Sequence, residues 1–418
     1  MTAVIELDDF DLASPEGAAV LRSMSLAHGA AMAAAATSLD RLFTIQSPWA
    51  PGLRFVGGQA SSGHVAVSLA GGGETLEEAF ASCVGEAVER VSQVARPADT
   101  LQLPIAVAVL STFPTLRSLI EAQCREIGCS HAASVAWMLA RTPASTSPVL
   151  VPADWCLRSD AIGPLRDSHA ALSTGTAAGP TYEAAALRAL LELVERDAAS
   201  LWWIGGQRGR PLALDQPAMA EAVRVAGVLR SGCTTRTSWL LDITSDVGVP
   251  TIAALSVSAN GRGLACGLAA RLTLSGAVRA ALLELCQMEL GLLIAMAKHH
   301  DHADAGLTEV DRRHLTRASQ LDAETCAVLH ASGRPARYAD PPVVAASEHL
   351  DGLIATLAGA GHEVALVDLT RREFELPVVK AIVPSLQLLP SSRRTSRLTR
   401  TIELTGGGDR WTEAVSLV

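Results

Sequence analysis

The sequence of 418 residues predicts an α/β or α+β protein built from duplicated halves, each a mixed sheet with helices. Strand-like and helix-like segments alternate along its whole length. Apolar residues make up 49% of the chain and charged residues 18%, which is typical of an ordered globule with a large core. One helical pattern is also written twice, so we expect the functional site to lie between the repeated helices.

The first part of the chain predicts helices followed by strands. Residues 15–39 are rich in alanine and predict one or two helices, which begin near Pro15 after Ser14. Glycine-punctuated apolar stretches between residues 52 and 70 predict strands. Residues 141–152 are rich in proline and serine and predict a surface loop or linker.

The second part of the chain repeats this alternation. Residues 237–270 predict three short strands, and residues 273–297 predict a helix. We expect a loop at 331–342, a helix at 345–358, and two apolar strands in the segments EVALVDL and PVVKAIVP. These patterns divide the chain into an N-terminal helical segment (1–45), a main domain (46–400) and a C-terminal tail (401–418).

Charge, hydropathy and cysteine spacing indicate which partners and which cellular compartment to expect. The net charge is −9 without a basic stripe, which argues against nucleic acid as the main partner. The acidic start MTAVIELDDFDL lacks the pattern of a secretory signal, and no uninterrupted apolar run reaches the roughly 18 residues of a membrane span. The eight cysteines are scattered without a CxxC pair, which favours free thiols. We therefore expect a cytoplasmic protein without a membrane partner.

The repeated helix is the strongest signal in the chain. Residues 73–90 and 179–196 align without a gap at an offset of 106. The shared positions are Gly73, Thr75, Glu77, Ala79, Glu86, Val88, Glu89 and Arg90 in the first copy, and Gly179, Thr181, Glu183, Ala185, Glu192, Val194, Glu195 and Arg196 in the second. A weaker third copy carries Thr273, Ala277, Glu284 and Gln287. Each copy places two oxygen-bearing side chains three residues apart, on one face of its helix.

Two interpretations of these acidic faces remain open from the repeat alone. Each could be the solvated side of an amphipathic helix, because Arg188, Glu192 and Glu195 lie opposite an apolar face. Alternatively the glutamates converge, and Mg²⁺ would then offset their mutual repulsion and bridge to phosphate oxygens. Arg90 and Arg196 could donate to phosphate or form local ion pairs.

These helices resemble the signature of the YcaO family, whose motifs read S-x-x-x-E-x-x-E-R, E-x-x-E-R and E-x-x-Q. The corresponding residues are Ser82, Glu86, Glu89 and Arg90 in the first helix, Glu192, Glu195 and Arg196 in the second, and Glu284 and Gln287 in the third. Further matching stretches are STGTAAGPT (173–181), LDITSDVGVPT (241–251) and LPVVKAIVPSL (376–386). Together the matches cover roughly residues 60–390 in the order of the family.

The resemblance implies a YcaO-like fold and an enzyme that uses ATP and Mg²⁺ to activate a peptide backbone amide by phosphorylation. A neighbouring Cys, Ser or Thr side chain would then give an azoline, sulfide a thioamide, and an amine an amidine. The implied partners are a precursor peptide or protein and a TfuA-like or leader-binding protein, and we expect a homo-oligomer. The nucleotide would be bound by Ser82, Glu86, Arg90, Glu192, Glu195, Arg196, Glu284 and Gln287, and Mg²⁺ by Glu86, Glu89, Glu192, Glu195 and Glu284.

Several positions depart from the family pattern. They are Gly72, Thr174, Pro180, Ala184, Ala280, Lys380 and Ser385; Arg279, beside Ala280, could substitute in part for a missing arginine. These changes leave an alternative open, a degenerate YcaO fold that acts as a peptide-binding or scaffold subunit with little or no ATP use. The chain also lacks the proline-rich tail and the fused substrate-activating domain of many azoline-forming members, which leads us to expect the stand-alone, thioamide-forming type.

Overall fold

The computed structural model describes residues 7–62, 65–130, 132–143, 145–158, 165, 172–339 and 344–417. Helices and strands alternate as predicted, and the described strands form three sheets. The helices are α1 (Pro15–Ser23), α2 (Leu26–Ala36), α3 (Leu76–Ser92), α4 (Ile105–Ala108), α5 (Pro114–Ile127), α6 (Tyr182–Trp203), α7 (Pro217–Arg230), α8 (Leu274–His302), α9 (Glu309–Gln320), α10 (Ala346–Gly359), α11 (Ser396–Thr405) and α12 (Asp409–Thr412). The strands are β1 (Leu7–Asp9), β2 (Arg41–Ile45), β3 (Arg54–Ser62), β4 (Val65–Gly73), β5 (Leu101–Pro104), β6 (Ser134–Thr142), β7 (Ser145–Pro152), β8 (Thr176–Ala178), β9 (Arg236–Asp242), β10 (Thr251–Ser258), β11 (Ala265–Ala270), β12 (Ala365–Asp368) and β13 (Val378–Ile382).

The first sheet has the order β1-β2-β3-β4 and is antiparallel throughout. Helix α3 packs on β3 and β4, and α1 and α2 pack on α3. The N-terminal segment is therefore not purely helical, because β1 and β2 belong to the same sheet as β3 and β4. The division into residues 1–45, 46–400 and 401–418 stays a prediction, although its first boundary falls between two paired strands.

The second sheet has the order β5-β6-β12-β13-β8, with β7 paired to β6. Helix α6 packs on β8 and β13. The prediction of a loop at 141–152 is wrong, because β7 occupies most of this segment. Leu150 and Val151 at the end of the strand are buried, and a strand at the edge of a sheet tolerates Pro148.

The third sheet has the order β11-β10-β9, and the three strands predicted in residues 237–270 are confirmed. Helix α8 packs on β10 and β11 and extends beyond its predicted end to His302. The helix predicted at 345–358 and the two following apolar strands are confirmed as α10, β12 and β13. Of the loop predicted at 331–342, residues 340–342 lie outside the described residues.

Each copy of the repeated sequence folds as a strand followed by a helix, and the three pairs are β4–α3, β8–α6 and β11–α8. The three helices begin in the same way. The hydroxyls of Thr75, Thr181 and Thr273 each accept a hydrogen bond from the backbone N–H three residues further on. The three helices pack their apolar faces in three different hydrophobic clusters. The strands β4, β8 and β11 belong to three different sheets, so each sheet has one strand–helix pair.

Among the described residues, the segment Leu274–Gly306 is long and apolar enough to cross a membrane. In the fold, 56% of its apolar window is buried, and the helix packs on β10 and β11 as the core helix of a globular protein does. Length and composition alone therefore do not indicate a membrane span here.

Candidate active site

The first carboxylate of each repeat is fixed to the strand of its own copy or, in the second copy, to the residue just before that strand. In all three copies one glutamate oxygen accepts a hydrogen bond from a backbone N–H that lies 16 or 17 residues earlier in the chain. The donors and acceptors are Ala70 N–H to Glu86 Oε2 (2.9 Å), Gly175 N–H to Glu192 Oε2 (3.0 Å) and Leu268 N–H to Glu284 Oε2 (3.1 Å). The repeat in sequence is thus also a repeat in hydrogen bonding, and it places three carboxylates at equivalent strand–helix junctions.

The second position of each repeat reaches the strand of the next copy. Glu89 Oε1 accepts a hydrogen bond from Ala178 N–H of β8 at 2.7 Å. Glu195 Oε2 accepts one from Ala270 N–H of β11 at 3.3 Å. Ala178 and Ala270 occupy the same position in their copies, three residues before the capping threonine, and each is the last residue of its strand. Helix α3 is therefore joined to the second copy, and α6 to the third.

Gln287 closes the cycle. Its side chain lies against Gly72 of β4, where a Cβ atom would come within 2.4 Å of the amide Nε2. Gly72 is the equivalent in the first copy of Ala178 and Ala270, so α8 is joined to the first copy. The three strand–helix pairs form a closed cycle, and we call the six side chains that link it the carboxylate ring: Glu86, Glu89, Glu192, Glu195, Glu284 and Gln287.

Burial sets the charge state of the ring. Burial, with Glu192 and Glu86 nearby, raises the pKa of Glu89 to about 8. Burial, with Glu284 and Glu192 nearby, raises the pKa of Glu195 to about 8 although Arg196 opposes the shift. Burial also raises the pKa of Glu284. The ring therefore holds protons that ordinary carboxyl groups have lost at neutral pH, and a cation bound there would displace them.

The two arginines of the motifs lie beside the ring and contact its carboxylates. Arg90 donates to Glu86 Oε1 from Nε at 3.0 Å and from Nη2 at 2.5 Å. Arg196 Nη2 lies 3.6 Å from an oxygen of Glu192 and 3.6 Å from an oxygen of Glu195. Ser82, one turn before Glu86, is exposed. In the described structure the arginines thus act as local counter-charges, and their role toward a phosphate stays a prediction.

The glutamate oxygens of the ring could bind Mg²⁺ in pairs, but they do not surround a single ion. Among the described residues, no three His, Cys, Asp or Glu side chains converge closely enough to hold a metal ion. Mg²⁺ at phosphate sites is usually held by one or two carboxylates, with phosphate oxygens and waters completing its coordination. Glutamates three residues apart, such as Glu192 and Glu195, supply that number of ligands. The metal role of Glu86, Glu89, Glu192, Glu195 and Glu284 stays a prediction.

The glycine run 71–73 is required by packing. A Cβ at Gly71 would lie 2.2 Å from the carbonyl oxygen of Ala79, and one at Gly73 would lie 2.4 Å from Cβ of Glu78. Strand β4 can therefore approach α3 this closely only with glycine at these positions.

Arg279 does not point its charge at the ring. It donates to Glu74 at 2.7 Å and to Glu78 at 2.8 Å, so it joins α8 to the start of α3. The suggestion that it replaces the missing arginine beside Ala280 is wrong for this arrangement, because its guanidinium is already held by two carboxylates at the helix start.

The backbone donors of the ring and their support were missed by the sequence analysis. Buried Lys380 donates from Nζ to the carbonyl oxygens of Leu172 (2.8 Å) and Thr174 (2.6 Å), and Gln93 Nε2 donates to the same Leu172 oxygen at 2.7 Å. These bonds fix the segment that presents Gly175 N–H to Glu192. The signal available in the sequence was the match of Lys380 to an arginine of the family; the backbone donors leave no such signal.

Comparison with known proteins gives one curated relative and a family model. The model of YcaO cyclodehydratases, described as ATP- and Mg²⁺-binding, matches residues 70–387. An uncharacterized protein in the tfuA 3' region of Rhizobium leguminosarum bv. trifolii is 30% identical over 204 residues, which are 47% of this chain and 47% of that protein. The match thus spans about half the length of that relative.

Solved structures share the fold. A heterocyclase in complex with substrate and cofactor is 21% identical, with a TM-score of 0.68 over 88% of this chain and 52% of that chain. YcaO from Methanopyrus kandleri, bound with AMPPCP and Mg²⁺, is 20% identical, with a TM-score of 0.61 over 91% and 93%. The E. coli microcin synthetase McbBCD complex with pro-MccB17 bound is 14% identical, with a TM-score of 0.64 over 83% and 88%.

These likenesses confirm the predicted α+β architecture of the YcaO type. ATP and Mg²⁺, the cofactors predicted from the sequence, are the two that the family description names. Because the family model matches about three quarters of the sequence, the resemblance noted from the motifs is confirmed. The protein belongs to the YcaO family.

Proposed function

We propose that this protein uses ATP and Mg²⁺ to activate a backbone amide during modification of a ribosomally synthesised peptide or protein. The observation that carries the proposal is the closed carboxylate ring, in which backbone N–H groups hold five glutamates at the junction of three sheets. When bound, ATP and Mg²⁺ supply the phosphoryl group that turns the amide oxygen into a leaving group.

The residues of the ring would bind and orient the metal and the phosphates. Each glutamate is held through one oxygen by a backbone N–H, which restricts the direction of its other oxygen; in Glu86 that other oxygen accepts from Arg90. Burial keeps protons on Glu89 and Glu195, and Arg196 offsets part of the remaining charge. Gln287, neutral at the third equivalent position, lowers the repulsion that a sixth carboxylate would add.

We further propose the thioamide-forming branch, with sulfide as the nucleophile and a TfuA-type protein as partner. The name of the curated relative, a protein in a tfuA 3' region, supports this choice over azoline formation. A precursor peptide or protein is the proposed substrate.

The test uses the purified full-length protein with a candidate peptide and partner. We expect ADP or AMP and phosphate to be released only when the peptide is present, and we expect Glu86→Gln or Glu195→Gln to abolish the release. Glu77→Gln, a substitution on the same helix as Glu86 but outside the ring, serves as the control and should leave the release unchanged. Full activity in both ring variants would contradict the assignment of the site.

A second candidate is a scaffold or peptide-binding subunit with little or no ATP use. It is favoured by the loss of family residues at Gly72, Pro180, Ala184 and Ala280, and by the placement of Gln287 against Gly72. Titration calorimetry with ATP and Mg²⁺ separates the two functions. Absence of binding at millimolar nucleotide, with partner and peptide added, would support the scaffold.

A further inference from the structure

A cavity of about 200 Å³ lies beside the carboxylate ring, at the third strand–helix junction. Residues of β11, α8 and α9 form its walls, together with Leu417. Glu284 of the ring and Arg196, which contacts the ring, both line it. Leu268, whose N–H donates to Glu284, is part of the wall as well. A small molecule in this cavity would therefore be a direct neighbour of the ring.

The cavity lies where the third copy of the repeat lacks its arginine. In the first two copies, Arg90 and Arg196 follow the second glutamate and pair with the first glutamate, four residues earlier. Met288 occupies the same position in the third copy and lines the cavity. Glu284 has no arginine of its own helix at that spacing. The third junction thus has a neutral, polarizable side chain where the other two have a guanidinium.

Helix α9 brings a cation to this junction, and that cation has no counter-charge. Arg317 is only 2% exposed. Its Nη2 donates to Nδ1 of His314 at 2.9 Å, and its Nη1 donates to the carbonyl oxygen of Leu417. In the part of the chain that the structure describes, no Asp or Glu acts on its charge, and its Nε has no hydrogen-bond partner. A buried guanidinium without a counter-ion is costly, so an anion in the cavity would stabilise it.

The other polar groups of the cavity do not supply or require a second charge. Burial and the nearby Arg317 lower the pKa of His314 to about 4, so its imidazole is neutral at neutral pH. Arg313 already pairs with Glu309 at 3.4 Å, and Arg196 is held by the ring. The uncompensated charge is therefore that of Arg317, which favours a monovalent anion.

We propose that this cavity binds hydrosulfide and holds it beside the ring as the nucleophile for the activated amide. The weakly hydrated guanidinium of Arg317 and the sulfur atoms of Cys266 and Met288 suit a soft, polarizable anion. A phosphate fits less well, because its second charge and several of its oxygens would face the apolar side chains of Leu268 and Val310. The identity of the anion as hydrosulfide rests on the proposed function.

Hydrosulfide in this position needs no oxidant or reductant to react. Its sulfur forms a bond to the activated amide carbon, and the bond from that carbon to the phosphorylated oxygen breaks. The phosphate leaves with the proton of the hydrosulfide, and the product is a thioamide. The cavity therefore serves the nucleophile, while the carboxylate ring serves the metal and the phosphates.

The first test needs no ATP, Mg²⁺ or peptide, and so it is independent of amide activation. The thermal unfolding midpoint of the full-length protein is measured with EDTA, without oxygen and at constant ionic strength, against increasing sodium hydrosulfide. We expect a saturable rise, because an anion that binds only the folded state stabilises it. Sodium chloride and sodium phosphate are the comparison salts and should give no saturable rise.

Met288→Arg would fill the cavity with the arginine that the other two copies carry, so this variant should lose the rise. Its matched control is Met296→Arg, at a 48% exposed residue about two turns later on α8, which should respond as the wild type does. Arg317→Met should raise the hydrosulfide concentration needed for half of the effect at least about tenfold. Arg312→Met, at an exposed position of the same helix, is the control for that change.

The unfolding midpoint without hydrosulfide shows whether each variant folds. A wild-type protein without a saturable rise, or an equal rise in Met288→Arg, would overturn the proposal. An equal rise with phosphate would also overturn it, since the cavity would then be a phosphate site.

The role as nucleophile has its own measurement. In the turnover assay with peptide and partner, Arg317→Met should raise the KM for sulfide about tenfold and leave the calorimetric affinity for ATP and Mg²⁺ unchanged. An unchanged KM for sulfide would overturn this role. Hydrosulfide binding by a protein that releases no phosphate with its peptide would contradict the proposed function and support the anion site. Phosphate release by a protein that binds no hydrosulfide would do the reverse.

Discussion

At the scale of single residues, the partner of each glutamate depends on its position in the repeated helix. Glu86 and Glu284 bond to the strands of their own copies, and Glu192 bonds to Gly175 just before β8, whereas Glu89 and Glu195, one turn later, bond to the strand of the next copy. The spacing of three residues, visible in the sequence, predicted that both side chains share a face. It could not predict the donors to Glu89 and Glu195, because they are backbone N–H groups 89 and 75 residues away.

Glu89→Gln should change the pH dependence of stability in the metal-free protein. The pKa of Glu89 is about 8 in the fold and near 4.5 when unfolded, so between these values the folded protein holds a proton that the unfolded chain releases. Stability therefore falls as pH rises through this interval. Glutamine is neutral throughout, so the variant should gain about 1–2 kcal/mol relative to the wild type between pH 5 and 9, less than the full shift implies because Glu89 is partly exposed.

Urea unfolding at pH 5 and pH 9, with EDTA present, measures this difference. Glu77→Gln, outside the ring, controls for the general loss of one acidic group. Parallel pH dependence in the wild type and in Glu89→Gln would contradict the role assigned to burial.

At the scale of elements, the triple glycine of β4 shows how one family position can change without loss of the fold. A side chain at Gly72 would meet Gln287, so the contact between β4 and α8 depends on glycine there. The sequence indicated only that a lysine of the family pattern was absent. With glycine in place of that lysine, Gln287 of α8 lies against β4, and this contact joins the first and third copies. The sequence carries little sign of the contact, because the third copy of the repeat is weak.

Gly72→Ala should destabilise the protein by at most about 1 kcal/mol, because its Cβ would lie 2.4 Å from the Gln287 amide, which is the end of a flexible side chain that can move aside. Adding Gln287→Ala should recover most of this loss, as a double-mutant cycle would measure. Gly85→Ala, in the middle of α3 with nothing within 4 Å of its Cβ, is the control and should be neutral or stabilising. Equal effects at Gly72 with and without Gln287 would contradict the contact.

At the scale of the whole molecule, three strand–helix pairs from three sheets close into one cycle around the carboxylate ring. The alternation of strands and helices, and the positions of α6, α8 and α10, could be predicted from the repeat and from apolar periodicity. The pairing of β1 and β2 with β3 could not, because alanine-rich helices dominate that segment. Strand β7 was missed because an edge strand tolerates the proline and serine that elsewhere indicate a loop.

The most direct test of the central claim, that the ring binds Mg²⁺ with a nucleotide, is titration calorimetry of ATP and Mg²⁺ at pH 7 in two buffers of different ionisation enthalpy. Glu89 and Glu195 have pKa values of about 8, so binding should release about one proton or more from the protein. Glu195→Gln should release fewer protons and bind at least about tenfold more weakly. Binding without proton release, together with unchanged affinity in Glu195→Gln, would contradict the account.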